Sequence, residues 1–87
     1  MMTRHWFKAA PIWETPAISR RVTSVEEALR CLMELWPDEH RASATYEAAI
    51  DACEEAISAA GTVEVARDAF VAAADEAGIL DDRGAPS

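Results

Sequence analysis

Prolines at 11, 16 and 37 and glycines at 61 and 78 decide where this chain can be helical. A proline inside a helix removes one amide donor and clashes with the preceding turn. It also pushes the residue before it out of the helical region. Glycine accepts the left-handed backbone that closes a helix. The chain is thereby divided into a proline-bearing N-terminal stretch and three segments long enough for helices.

The N-terminal stretch reads Ala10-Pro11-Ile12-Trp13-Glu14-Thr15-Pro16-Ala17-Ile18-Ser19-Arg20-Arg21-Val22-Thr23. Ile12, Ile18 and Val22 favour strands, as do Trp13 and Thr15. Two short strands, about 11–14 and 18–23, are expected, joined by a turn near Thr15-Pro16. Ser24-Val25-Glu26-Glu27 then opens a helix. The Ser24 hydroxyl caps free amides, and Glu27 stands three residues on, as a capping box requires. Val25, Ala28, Leu29, Leu32 and Trp36 follow at helical spacing, with Leu35 beside them, until Pro37 stops the run. This helix, about 25–36, carries the strongest apolar stripe and is expected to supply most of the core.

After the polar connection Pro37-Asp38-Glu39-His40-Arg41, a second helix is expected over 42–59. Tyr46, Ala49, Ile50, Cys53 and Ile57 form its apolar stripe, and Gly61 is its left-handed stop. Thr62 caps a third helix over 63–77, with Val63, Ala66, Phe70, Ala73 and Ala77 on one stripe and Gly78 closing it. Ile79 and Leu80 either return to the core or add a short strand. The fold class is α+β, a short N-terminal β-hairpin packed with three α-helices. Residues 10–80 make one compact domain, flanked by flexible tails at 1–9 and 81–87.

A chain of 87 residues buries about two-thirds of its unfolded surface. Its apolar runs are far shorter than the ~20 residues that span a bilayer, and Met1 to Ala10 lacks the apolar middle of a secretion signal. The cytoplasm is the expected compartment, with no membrane partner. Cys31 and Cys53 fall in helical stretches and are expected as buried thiols. His5 and His40 have no ligand-like spacing to them, so no metal is expected. The glycines are too dispersed for a phosphate loop, and there is no nucleophile elbow. Paired acids such as Glu54-Glu55 point in different directions from a helix. No catalytic residue and no cofactor are expected, and the chain is expected not to be an enzyme.

The net charge is -8, and it is unevenly spread. Residues 1–23 hold four basic residues against one acid, whereas 24–87 hold four against 15. Most of the surface therefore repels a phosphate backbone, and no nucleic-acid partner is expected. The last helix, with Arg67 against Glu64, Asp68, Asp75 and Glu76, is a poor reader of DNA. Trp6 and Trp13, with Arg20 and Arg21, form an aromatic and basic segment of the kind that marks interfaces. A homodimer made through this segment is expected, or else a contact with an unknown acidic protein partner. Arg67, at the edge of an apolar stripe, is expected to pair with an acid of the second helix such as Glu47 or Asp51. The alternative is a ligand pocket lined by Arg67 and Trp36.

Val22-Thr23-Ser24 leading into Glu27-Ala28, then Leu32 with Leu35-Trp36-Pro37, begins a further pattern. Tyr46-Glu47-Ala48-Ala49, Cys53 and Ala56 continue it. Ala66-Arg67-Asp68-Ala69-Phe70-Val71-Ala72-Ala73-Ala74 and Glu76-Ala77-Gly78-Ile79 close it. Over about residues 10–80 the chain resembles the domain-of-unknown-function family 982, small bacterial proteins. The resemblance implies a compact α+β fold and supplies no activity. Such sequences tend to carry a glycine after Trp-Pro, where this chain has Asp38 to Ser43.

Overall fold

A computed structural model describes residues 5–15 and 18–80, and among these the side chains of 10–13 and 18–80. The fold is α+β. An antiparallel hairpin, β1 (His5–Thr15) and β2 (Ile18–Ser24), precedes α1 (Val25–Glu34), α2 (Ala44–Ile57) and α3 (Val63–Ala77). A single 3-10 turn, Asp38–His40, joins α1 to α2. It makes the connection after Trp36-Pro37 without a glycine, its chain reversal held by His40 N–H donating to Pro37 O at 3.0 Å.

The strands run longer than the sequence suggests. Residues 5–9, assigned to a tail from composition, form the start of β1. His5 pairs with Ser24 and Ala10 with Val22, so β1 takes five steps where β2 takes two. That irregularity hides the strand from a period-two reading. A second bulge falls between Trp13 and Thr15, which face Ser19 and Ile18. The hairpin turn at 16–17 and the segments 1–4 and 81–87 lie outside the described residues.

All three helix starts follow side-chain caps. Ser24, Ser43 and Thr62 accept from the backbone amides of Glu27, Tyr46 and Val65, satisfying donors with no intrahelical partner. The box at α1 is shifted by one residue. Glu27 Oε1 accepts from Thr23 N–H at 3.2 Å, one position before the cap. Helix α1 ends at Glu34, not at Trp36, because Pro37 already disfavours helical geometry at the residue before it.

The end of α2 corrects the role expected of Gly61. The left-handed residue is Ala59, with φ 67°, and Gly61 has no positive φ. Gly61 is needed for space instead. A Cβ there would lie 3.1 Å from Glu55 Cβ. At the end of α3 the expectation holds, since Gly78 is left-handed with φ 73°. A left-handed alanine costs about 1 kcal/mol. Ala59→Gly is therefore expected to raise the melting temperature by about 4–8 °C. Gly78→Ala, with open space around the added methyl, is expected to lower it by a similar amount. Thermal unfolding followed by circular dichroism measures both, and equal melting points for all three proteins would contradict the strain argument.

The core lies between the inner face of the hairpin and the three helices. Phe70, Ile12, Leu32, Val22, Val25, Cys31 and Cys53 are its largest fully buried side chains. It draws on all three helices rather than mainly on α1. Ile79 and Leu80 return to the hairpin. Ile12 bridges Leu80, and Trp13 N–H donates to Ile79 O at 2.7 Å.

Candidate functional site

Two places gather the residues singled out from sequence. The first is the hairpin. Successive side chains of a strand point to opposite faces. Ala10, Ile12 and Val22 are buried, so they mark the inner face. By the same register Pro11 and Trp13 of β1, with Ser19, Arg21 and Thr23 of β2, share the outer face. Arg21 and Thr23 are exposed and Trp13 is half-buried. Pro11 pairs with Arg21 and Trp13 with Ser19, which places Trp13 diagonal to Arg21.

The same register explains how a strand tolerates Pro11. Trp13 N–H turns away from β2, toward Ile79 O. Two residues earlier, the position of the missing Pro11 N–H faces the same way, so no bond to β2 is lost.

Arg20 separates from its neighbour. It faces Ile12 on the inner side and its guanidinium lies 3.4 Å from Glu27 Oε2 of α1. Arg20 and Glu27 thus fasten β2 to the helix that follows it. Both side chains keep more than a quarter of their exposure, at 40% and 30%, so solvent screens the pair and its contribution is small. Of the four residues read as one interface, Trp13 and Arg21 come together on the outer face and Arg20 does not. The Trp6 side chain lies outside the described residues.

The second place is the far end of α1. Trp36 is 3% exposed. Its ring is tilted against Tyr46, with centroids 6.2 Å apart, and against Phe70 at 5.5 Å. Such tilted pairs suit the ring quadrupoles. Tyr46 reaches across from α2, and its hydroxyl donates to Leu32 O at 2.7 Å in a buried bond. Arg41 Nε donates to Trp36 O at 3.1 Å and stands 3.6 Å from Asp38. Carbonyls near a helix C-terminus lack intrahelical donors. Tyr46 supplies one by wedging between helices, and Arg41 serves the carbonyl just beyond the end. In sequence Tyr46 shows only as part of an apolar stripe, and Arg41 as part of a polar connection. A tyrosine on such a stripe brings a hydroxyl that must find a partner when buried, and that was the available signal.

One polar atom in this cluster is unmatched. The Trp36 indole N–H is buried and has no hydrogen-bond partner. Arg67 sits half-buried on α3, three residues before Phe70. Glu47 and Asp51, the acids expected to meet it, are exposed on α2.

Cys31 and Cys53 are both free and buried. Burial pushes the Cys53 thiol up to about 12, with the adjacent Glu54 carboxylate adding to the shift. A thiol held this way stays protonated and is a poor nucleophile. Among the described residues, no group of three or more His, Cys, Asp or Glu side chains is arranged to hold a metal ion. No helix there is long and apolar enough to cross a membrane.

No curated protein and no solved structure matches the chain. The model of one family, described as a protein of unknown function (DUF982), matches residues 14–81. The match takes in β2, the three helices and the Trp36 cluster, and begins just after Trp13. It spans most of the 87 residues, and the chain belongs to the DUF982 family.

Proposed function

We propose that this protein is a non-enzymatic interaction module that forms a homodimer through its N-terminal hairpin. One observation carries the reading. The register puts Trp13 and Arg21 on the sheet face turned away from the protein's own helices. Tryptophan and arginine are the side chains that most often dominate binding energy at interfaces. The raised Cys53 thiol supports a structural role for that cysteine, and two free buried cysteines suit a reducing cytoplasm. The net charge of -8 favours protein partners over nucleic acid.

Size-exclusion chromatography with light scattering, on the order of tens of micromolar, tests the dimer, because association follows concentration. A mass twice that of the chain is expected. A single-chain mass at that concentration would remove the proposal.

A second reading rests on the unmatched Trp36 N–H. A small-ligand sensor with Arg67 and Trp36 in its pocket would give that donor an acceptor. Phe70 joins the two, since it packs on Trp36 and lies one turn from Arg67. A thermal-shift screen against metabolites carrying carboxylate or carbonyl groups tests it. A library without a single stabilising compound would leave the homodimer as the working function.

A further inference from the structure

We draw no further inference here: the strongest candidate, the exposed apolar patch of Met33 and Leu35 at the C-terminal end of α1, carries nothing because nothing in the structure shows what covers it.

Discussion

Phe70→Ala is expected to remove about 3–5 kcal/mol of stability, the usual cost of deleting a buried phenylalanine and leaving a cavity. Phe70 is 0% exposed and is among the largest fully buried side chains of the core. It packs on Trp36, so its loss leaves that ring without one of its two aromatic neighbours. A domain of this length has roughly 4–13 kcal/mol of stability in total. The variant is therefore expected to lose at least about a quarter of that margin. Urea titration followed by circular dichroism measures the change. A loss below about 1 kcal/mol would mean that α3 does not anchor the core through this ring.

Trp36 gives the second large effect, and two substitutions separate its parts. Trp36→Ala is expected to cost about 3–5 kcal/mol, because it deletes a buried ring from between Tyr46 and Phe70. Trp36→Phe keeps an aromatic ring there and removes the unmatched N–H. An unpaired buried donor costs about 1–3 kcal/mol, which offsets the lost ring volume. The phenylalanine variant is expected to stay within about 1 kcal/mol of the wild type by the same titration. A loss as large as that of alanine would mean that the indole N–H has an acceptor in solution. That outcome would strengthen the ligand-sensor reading at the expense of a purely structural Trp36.

The helical part of this fold was legible because its signals are local. Ser24 and Thr62 cap the helices that follow them, and α3 spans Val63–Ala77 as its stripe predicts. Gly78 closes it with a left-handed backbone. The hairpin was legible in outline only. Pro11 and the two irregularities of β1 break the alternation by which a strand is read. Its first residues read as a tail in sequence, and the partner of His5, Ser24, is distant along the chain. The end of α2 misled for a related reason. Glycine at 61 reads as a helix stop, yet the backbone reverses at Ala59 and the glycine serves the close approach to Glu55.

The sequence by itself determined the α+β class, the order of hairpin and helices, the family resemblance and the division into a basic, aromatic hairpin and an acidic helical body. Those follow from periodicity, caps and charge, which act over a few residues. Only the tertiary structure decided which hairpin residues share a face. Arg20 and Arg21 are adjacent in sequence and chemically identical, yet the register sends one to Glu27 and the other to the outer face beside Trp13. It likewise decided that Tyr46 and Arg41 serve the carbonyls of Leu32 and Trp36, and that the Trp36 N–H is left unmatched. Strand register and helix packing are set by contacts between distant segments, and no local pattern encodes them.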